Sequence, residues 1–336
     1  MKIGNFDLNR EILIVAEIGN NHEGNFDVAN ELVRMAAQCG VGAVKFQVFR
    51  AEDYVSRSDS ARFRQLKSFE LSYSEFEQLS DLARSLGLLV ISTPFDLASA
   101  EFLETIVDSY KIASGDNNFY PLLDRIASTG RPVIISTGIS DLRQVSQTVA
   151  YMKQRWIEKN IPEQLVLLHC VSGYPTPPDQ ANLQSIRFLA DNFDCTIGYS
   201  DHTIGLEAAL IAVVLGARII EKHFTIDKTF SDFRDHQLSA DPVEMRELVE
   251  RVQLASSMLG EYHKRVQPCE EAMVTSIRRS IAANADLPSG HRIDWSDLTW
   301  VRPSGGLAPG EEHRLIGKVL KRSVRIGYQL HESDVE

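Results

Sequence analysis

Apolar, strand-like runs alternate with helical segments up to about residue 260, and this alternation constrains the fold more than any other feature. Eight strand–helix units follow one another. The strand-like runs are ILIVAEI (12–18), AVKFQVF (43–49), LLVISTPF (88–95), SYKIAS (109–114), PVIISTG (132–138), LVLLHC (165–170), DCTIGYS (194–200) and RIIEKHF (218–224). Near-continuous apolar strands are typical of a parallel sheet covered by helices, and eight such units in about 250 residues match the size of a (β/α)8 barrel. We therefore predict an α/β fold, a (β/α)8 TIM barrel, over residues 1–260.

A doubly wound open sheet is the alternative fold. It is disfavoured because the first βα turn, EIGNNHEG, lacks the GxGxxG pattern of dinucleotide-binding sheets. Beyond the barrel, the polar segment 261–275 is interpreted as a linker. In residues 276–336, short runs separated by Gly and Pro, such as DLTWVRPSGG and VRIGYQL, predict a small β-rich domain.

The net charge of −11 limits the classes of partner that we expect. Nucleic-acid-binding proteins usually carry a basic excess, so no nucleic-acid partner is predicted. The N-terminus has no basic region followed by a long apolar run, and no apolar stretch approaches the ~20 residues of a membrane span. The four cysteines, Cys39, Cys170, Cys195 and Cys269, form no CxxC pair, and free thiols in a reducing compartment are expected. These features predict a cytoplasmic protein without a membrane partner.

Two consecutive strand-like runs each end in a histidine. CTIGYSDHT contains His202 and ARIIEKHF contains His223, with a helix-length apolar segment between them. Consecutive parallel strands of a right-handed βαβ unit are often neighbours, roughly 4.8 Å apart. Both imidazoles are therefore expected at the same end of the sheet, where they could share a divalent ion. The alternative is that each histidine only forms a hydrogen bond near its strand end.

Lysines and small hydroxyl residues gather at the same end of the predicted sheet. Lys45 shares a strand face with Gln47 in VKFQVF, while Lys111 lies in YKIAS and Lys222 in EKHF. The hydroxyl residues at or just past strand ends are Thr93, Ser114, Ser136, Ser172 and Ser200. Ammonium groups combined with many hydrogen-bond donors suit the oxygens of phosphate and carboxylate. Each lysine alone could instead extend to solvent or pair with a carboxylate, as Lys222 could with Glu221.

Glu17 is the only acidic residue at the end of the first strand-like run. A carboxylate buried at a strand end usually has a function or a partner. The alternative is that it caps the following loop.

The order of these motifs resembles the sialic acid (N-acetylneuraminate, nonulosonate) synthase family. The similar segments are AEIGNNHEG, VKFQ, STPFD, YKIASGDNNFYP, IISTG, LLHCVSGYPTP, IGYSDHT and EKHFT, followed by RPSGG and LIGKVLKRSVRIGYQL, which resemble the family's antifreeze-like (SAF) domain. The resemblance implies a barrel with this domain at its C-terminus and a homodimer in which the small domain is swapped into the partner's active site. It also implies a metal-dependent transferase that condenses phosphoenolpyruvate with N-acetylmannosamine or a related 2-acetamido sugar. The products would be a sialic-acid-type nonulosonate and phosphate, and the expected metal is manganese, with magnesium or cobalt as alternatives.

The resemblance further implies roles for individual residues. His202 and His223 would bind the metal, and Glu17 would manage the proton of the water that attacks C2 of phosphoenolpyruvate. The residues that would hold phosphoenolpyruvate are Lys45, Thr93, Lys111, Ser114, Ser136, Ser172 and Ser200, of which Lys45 and Lys111 also count as catalytic. The residues that would contact the sugar are Tyr174, Asp235 and Arg302, and Gln47 is a further substrate-binding candidate.

Two departures from the family pattern concern the sugar. The loop after the second strand, SRSDSARFRQLKSFELSYSEF, is short and offers no assignable sugar-binding asparagine, and FRDHQLSAD lacks the glycine–proline pair common before Asp235. A legionaminate- or pseudaminate-type synthase that uses another amino sugar is therefore an alternative. Two further alternatives are a Schiff-base aldolase that uses Lys45, Lys111 or Lys222, and a non-catalytic sugar-binding protein.

Overall fold

The strand-like runs form a closed parallel barrel in the computed structural model, which describes residues 1–336. An antiparallel hairpin of β1 (Lys2–Ile3) and β2 (Phe6–Asp7) precedes the barrel. The barrel strands are β3 (Leu13–Gly19), β4 (Ala43–Val48), β5 (Leu89–Pro94), β6 (Ser109–Ile112), β7 (Val133–Ser136), β8 (Leu165–His169), β9 (Thr196–Asp201) and β10 (Ile219–His223). Each strand pairs with the next, and β10 pairs with β3 to close the barrel. The predicted (β/α)8 barrel is confirmed, and the doubly wound alternative is wrong.

Helices surround the barrel and connect its strands. They are α1 (Phe26–Gln38), α2 (Ala51–Tyr54), α3 (Ser60–Phe69), α4 (Tyr73–Ser85), α5 (Leu97–Leu103), α6 (Tyr120–Ala127), α7 (Leu142–Lys159), α8 (Ser185–Asn192), α9 (Glu207–Val214), α10 (Arg234–Leu238) and α11 (Pro242–Leu259). Several begin at an Asp, Asn or Ser whose side chain accepts a hydrogen bond from the first helical turn, as Asn25 does for α1 and Asp141 does for α7. These caps determine where each strand-to-helix loop ends, and those loops carry much of the site described below.

Strand residues alternate between two hydrophobic regions. Tyr199 and Ile220 belong to the large apolar layer between the strands and the helices. Leu13, Ile134 and Ile219 belong to a separate aliphatic cluster that also contains residues of the N-terminal hairpin segment. Because aliphatic side chains fill this part of the barrel interior, the polar inward-facing residues are left at the carboxyl ends of the strands.

The chain divides after Gly260, and residues Glu261–Glu336 form a second unit with a hydrophobic core of its own. This unit contains α12 (Pro268–Ile277) and an antiparallel pair, β11 (Ser280–Ala283) and β12 (Leu298–Val301). The remainder consists of short 3₁₀ turns, isolated bridges and loops. Helix α12 occupies much of the segment that the sequence indicated as a linker.

No helix of the chain is both long enough and apolar enough to cross a bilayer. The four cysteines are free thiols: Cys39 and Cys170 are buried, Cys195 is half-buried and Cys269 is exposed.

Candidate active site

A cavity of about 1020 Å³ lies at the carboxyl ends of the barrel strands. The predicted site residues that line it are Glu17, Lys45, Gln47, Thr93, Lys111, Ser114, Ser136, Ser172, Tyr174, Ser200, His202, His223 and Asp235. The fold brings them together because the parallel strands of a barrel all end at one face, where the following loops also meet. Arg302 does not line this cavity, and it lies exposed in the unit Glu261–Glu336.

Two lysines and two glutamates form a buried group, here called the charged cluster, that consists of Glu17, Lys45, Lys111 and Glu221. Lys45 Nζ lies 2.7 Å from Glu221 Oε1 and 3.4 Å from Glu17 Oε2, and Lys111 Nζ lies 4.0 Å from Glu221 Oε1. Ser200 donates a hydrogen bond of 3.0 Å to the same Glu221 oxygen. Glu221 is therefore the shared acceptor of the cluster. It was not predicted as a site residue.

Burial and the neighbouring charges set the pKa values of the charged cluster. Burial, which outweighs the attraction of Lys45, raises the pKa of Glu17 to about 7. Burial alone would also raise the pKa of Glu221, but the attraction of Lys111 and Lys45 overrides it and holds this pKa far below its ordinary value. Burial lowers the pKa of Lys111 to about 8. Burial also disfavours the charged form of Lys45, but the two carboxylates override it and raise the pKa of that lysine. Glu17 can therefore accept or donate a proton near neutral pH while Glu221 stays ionised.

Hydroxyl groups near the lysines leave buried hydrogen-bonding atoms without a protein partner. The Oγ1 of Thr93 and the Oγ of Ser136 are both buried and unpaired. A Cβ at Gly138 would lie 2.5 Å from Ser172 Oγ and 2.7 Å from Ser114 Oγ, so only glycine leaves room for both hydroxyls. Unpaired buried donors in the same cavity as two ammonium groups can bind an oxyanion such as phosphate or carboxylate.

The two predicted metal ligands lie side by side. The ring centroids of His202 and His223 are 5.5 Å apart, with 53° between the ring planes. His202 Nδ1 donates a hydrogen bond of 2.8 Å to the carbonyl oxygen of Val171, which leaves Nε2 of the neutral ring free to act as a ligand. Burial lowers the pKa of His202 to about 4 and that of His223 to about 3. Both rings are therefore neutral at physiological pH, which is the form that binds metals.

The histidine pair fits a divalent ion that takes its other ligands from water and substrate. His223 Nδ1 is buried and has no hydrogen-bond partner in the protein, as expected of an atom that is available to a ligand. No group of three or more His, Cys, Asp or Glu side chains could hold a metal in this chain. A structural zinc site has four protein ligands, so the pair does not resemble one.

The more exposed part of the cavity combines apolar and charged residues that were largely not predicted. The apolar residues are Tyr54, Leu66, Phe69, Phe95 and Phe233. The charged residues are Asp59, Asp116, Asp232 and Asp235 with Arg62 and Arg234. Asp235 Oδ1 is buried and accepts no hydrogen bond, although Arg234 Nε lies 3.4 Å from it. The guanidinium carbon of Arg234 lies 4.9 Å from the ring centroid of Tyr174. This region can therefore accept hydrogen bonds from a polar ligand that also has apolar groups.

The loop after β4 contributes more to the cavity than its sequence indicated. It forms α2 and α3, and its lining residues are Tyr54, Asp59, Ala61, Arg62, Gln65, Leu66 and Phe69. The helical spacing of Phe63, Leu66 and Phe69 was the signal that could have revealed α3. This loop contains no asparagine. Instead, Asn20 lines the cavity and donates a hydrogen bond of 3.0 Å to Gln47.

Lys222 does not line the cavity. Its Nζ lies 2.8 Å from Asp201 Oδ2, and both side chains are buried. The pairing of Lys222 with Glu221 that the sequence allowed is wrong, because successive side chains of a strand point to opposite faces.

Comparisons with known proteins agree on one family. A model of the NeuB family matches residues 32–264, and a model of the SAF domain matches residues 278–336. The N,N'-diacetyllegionaminic acid synthase of Legionella pneumophila is 38% identical over 337 residues, which cover 96% of this chain and 94% of that protein. The N-acetylneuraminate-9-phosphate synthase of Homo sapiens is 34% identical over 91% of this chain and 87% of its own length. The crystal structure of the N-acetylneuraminic acid (sialic acid) synthetase from Leptospira borgpetersenii in complex with citrate matches with a TM-score of 0.76 and 33% identity, covering 82% of this chain and 94% of that one.

Proposed function

The chain belongs to the NeuB family and carries a SAF domain at its C-terminal end, and from this premise we propose that it is a nonulosonate synthase. It condenses phosphoenolpyruvate with the open-chain form of an uncharged 2-acetamido sugar, N-acetylmannosamine or a relative, and releases inorganic phosphate. The charged cluster beside the histidine pair, in one cavity, is the observation that carries this proposal.

Phosphoenolpyruvate would bind at the inner end of the cavity. Lys45 and Lys111 supply positive charge for its phosphate and carboxylate groups. The unpaired hydroxyls of Thr93 and Ser136 supply hydrogen-bond donors that the protein itself does not use. Further donors at the same end of the cavity are Ser114 and Ser172.

Carbon–carbon bond formation comes first in the proposed reaction. C3 of phosphoenolpyruvate attacks the aldehyde carbon of the sugar, and the aldehyde oxygen gains a proton and becomes a hydroxyl. C2 then carries positive charge, which the ionised carboxylate of Glu221 stabilises. This role needs a carboxylate that stays charged, as the two lysines ensure.

Water addition and loss of phosphate complete the reaction. Glu17, with its pKa near 7, accepts a proton from the water that adds to C2. The tetrahedral adduct then expels phosphate by cleavage of the C2–O bond, while the new C2 hydroxyl loses its proton and becomes the keto group. Phosphate therefore carries away the oxygen that bridged it to C2.

His202 and His223 would hold a divalent ion, and manganese is the metal that we propose. The bound ion supplies a Lewis acid that polarises and orients the sugar aldehyde. Two neutral imidazoles leave several coordination positions for water and sugar oxygens, which suits manganese. The short distance between the ring centroids and the unpaired Nδ1 of His223 support this assignment.

The charge of the cavity favours an acceptor without a phosphate group. Its lining includes six carboxylates and four cationic side chains, namely Glu17, Asp59, Asp116, Glu221, Asp232 and Asp235 against Lys45, Arg62, Lys111 and Arg234. Phosphoenolpyruvate adds further negative charge, so a sugar phosphate would bring a second anion into an already acidic space. A neutral sugar can instead donate hydroxyl and amide hydrogen bonds to Asp235, whose buried Oδ1 accepts no hydrogen bond within the protein and pairs only with Arg234 at 3.4 Å. N-acetylmannosamine and the diacetamido sugars of legionaminate- or pseudaminate-type synthases all meet this requirement.

The proposal includes a homodimer in which the SAF domain of one protomer completes the acceptor site of its partner through Arg302. Arg302 is an exposed guanidinium, which supports a role in contact with a ligand or a second protomer rather than within its own unit.

Phosphate release tests the proposed activity. The purified protein is incubated with phosphoenolpyruvate, Mn²⁺ and a panel of 2-acetamido sugars, some of them phosphorylated. We expect phosphate release with at least one neutral sugar and little release with the sugar phosphates. Absence of release with every sugar would contradict the activity, and a preference for a sugar phosphate would contradict only the neutral acceptor.

A Schiff-base aldolase is the second candidate, and one observation favours it. Burial lowers the pKa of Lys111 to about 8, and a lysine with a lowered pKa is what imine formation requires. Treatment with borohydride in the presence of a keto acid separates the two candidates. Covalent labelling of Lys111 would favour the aldolase, since the synthase route forms no imine.

A further inference from the structure

A second buried ion pair lies outside the cavity, on the same two strands that lead to the histidines. Lys222 Nζ lies 2.8 Å from Asp201 Oδ2 and donates a hydrogen bond of 2.6 Å to the carbonyl oxygen of Thr203. Asp201 Oδ1 accepts hydrogen bonds from Thr203 N at 2.8 Å, Thr203 Oγ1 at 2.7 Å and Tyr199 OH at 3.2 Å. The exposed fraction is 0% for Asp201 and 1% for Lys222. The network is thus satisfied entirely by protein groups.

The chain places this ion pair immediately before both histidines. Asp201 precedes His202, Lys222 precedes His223, and Asp201 and Lys222 are partners in the β9–β10 ladder. Successive side chains of a strand point to opposite faces, so the ion pair lies on the reverse side of the strand segments from which the histidines enter the cavity. Thr203, which follows His202, is bound by the same carboxylate. The two residues that flank His202 in the chain, Asp201 and Thr203, are therefore both fixed by this network.

Stability alone does not account for a buried ion pair at this place. Removing two charges from water is costly, and apolar residues of similar volume often replace such a pair without loss of stability. Tyr199 and Ile220, close by on the same strands, belong to the apolar layer beneath the helices, so an apolar pair would suit the surroundings. A charge-assisted hydrogen bond, unlike an apolar contact, has a defined length and direction and can set the relative position of two strands.

We propose that Asp201 and Lys222 are positioning residues that hold the imidazoles of His202 and His223 at the separation that a shared divalent ion requires. This inference rests on the proposed function, because it takes the two histidines to be the metal ligands. Neither Asp201 nor Lys222 lines the cavity, so their effect on the metal passes through the histidines.

The double variant Asp201→Asn/Lys222→Met tests the inference in the full-length protein. It removes both charges but keeps an acceptor oxygen at residue 201 for Thr203 and Tyr199. Mn²⁺ affinity is measured by electron paramagnetic resonance of the free ion, and folding is checked by circular dichroism. We expect the Kd for Mn²⁺ to rise about 10- to 100-fold, the usual effect of removing groups that orient metal ligands, while the fold is retained.

The matched control is Lys228→Met/Glu244→Gln. It removes a partly buried ion pair in the same part of the chain, in which Lys228 Nζ lies 2.5 Å from Glu244 Oε1. This control should leave the Kd for Mn²⁺ unchanged. A folded Asp201→Asn/Lys222→Met variant with the wild-type Kd would overturn the inference.

Two other outcomes are also decisive. If the double variant does not fold, Asp201→Glu, which keeps both charges and changes only the length of the contact, is measured in its place. Failure of both variants to fold would show that the pair supports the whole barrel and would overturn the inference. Wild-type protein that binds no Mn²⁺ would overturn the metal site itself and this inference with it. The two kinds of failure are therefore distinguishable.

Discussion

Glu221 holds the charged cluster together at the level of single residues. It faces Lys45 at 2.7 Å and Lys111 at 4.0 Å and accepts a hydrogen bond from Ser200. Two buried lysines without a carboxylate would be costly, and the ionised state of Glu221 is maintained by the same lysines that it stabilises. This mutual dependence makes Glu221 a sensitive position for substitution.

Glu221→Gln keeps the size of the side chain but removes the charge that both lysines face. We expect kcat to fall about 100- to 1000-fold, as when one group that stabilises developing charge is removed. Glu104→Gln is the matched control, because Glu104 forms an ion pair at 2.6 Å with Arg125 on the protein surface. Steady-state kinetics of both variants provide the measurement, and a kcat close to that of the wild type for Glu221→Gln would contradict the assigned role.

The pKa of Lys111, which burial lowers to about 8, predicts a loss of phosphoenolpyruvate binding in mild alkali. A lysine is charged below its pKa and neutral above it, so kcat/KM for phosphoenolpyruvate should fall as the pH rises through about 8, because this ratio reports the free enzyme. In Lys111→Arg the guanidinium stays charged up to about pH 12, and the alkaline fall should disappear. The same alkaline fall in both pH–rate profiles would exclude Lys111 as its source.

At the level of elements, the strand ends and the β4–α4 connection define the cavity. Sequence reasoning could place His202, His223, Lys45 and Lys111 at one end of the barrel, because apolar runs revealed where each strand stops. It could not decide whether Glu221 or Lys222 points into the cavity, because barrel strands are buried on both faces and do not show a polar–apolar alternation. The position of His223 could have answered this question. Residues two apart on a strand share a face, so Glu221 lies on the same face as His223.

Helix α3 was also not predicted from the sequence, for a different physical reason. Its segment is rich in polar residues, and only Leu66 and Phe69 of its side chains are buried. A helix that covers a cavity, rather than packing fully on the core, has a weak apolar pattern. The contribution of α3 to the lining of the cavity was therefore not predicted from the sequence.

The N-cap of α3 provides a test of its role. The side chain of Asp59 accepts a hydrogen bond from Arg62 N at 3.2 Å, and Asp59→Ala should cost about 1 kcal/mol of helix stability. We expect the acceptor KM to rise while the KM for phosphoenolpyruvate stays constant, because α3 lines only the more exposed part of the cavity.

Two control variants distinguish the capping role of Asp59 from a direct contact between its carboxylate and the sugar. Asp59→Ser retains a capping oxygen and should restore the acceptor KM, whereas an acceptor KM as high as that of Asp59→Ala would indicate direct contact between the carboxylate and the sugar. Asp141→Ala removes the equivalent cap of α7, where Asp141 accepts from Gln144 N at 2.8 Å, and should affect stability alone.

At the level of the whole molecule, the chain consists of two units with separate hydrophobic cores. The proposed chemistry depends on the barrel unit, while Arg302 belongs to the other. The net charge of the chain is −11, and Lys45 and Lys111 of the charged cluster supply local positive groups for an anionic substrate.

Arg302→Ala tests the contribution of the second unit. We expect the acceptor KM to rise by about 10-fold or more, in line with the loss of a charged hydrogen bond, while the KM for phosphoenolpyruvate changes little. Arg325→Ala, which changes another exposed arginine of the same unit, should leave both constants unchanged. A larger effect of Arg302→Ala on phosphoenolpyruvate than on the sugar would contradict the proposed contact.

The fate of the bridging oxygen of phosphoenolpyruvate tests the central claim most directly. The substrate is labelled with ¹⁸O between C2 and phosphorus, and the reaction is run with Mn²⁺ and a 2-acetamido sugar that supports turnover. If water adds to C2 and the C2–O bond breaks, mass spectrometry will find the label in the released phosphate. Phosphate without the label would mean that the phosphorus–oxygen bond breaks instead, and it would contradict the roles proposed for Glu17 and Glu221.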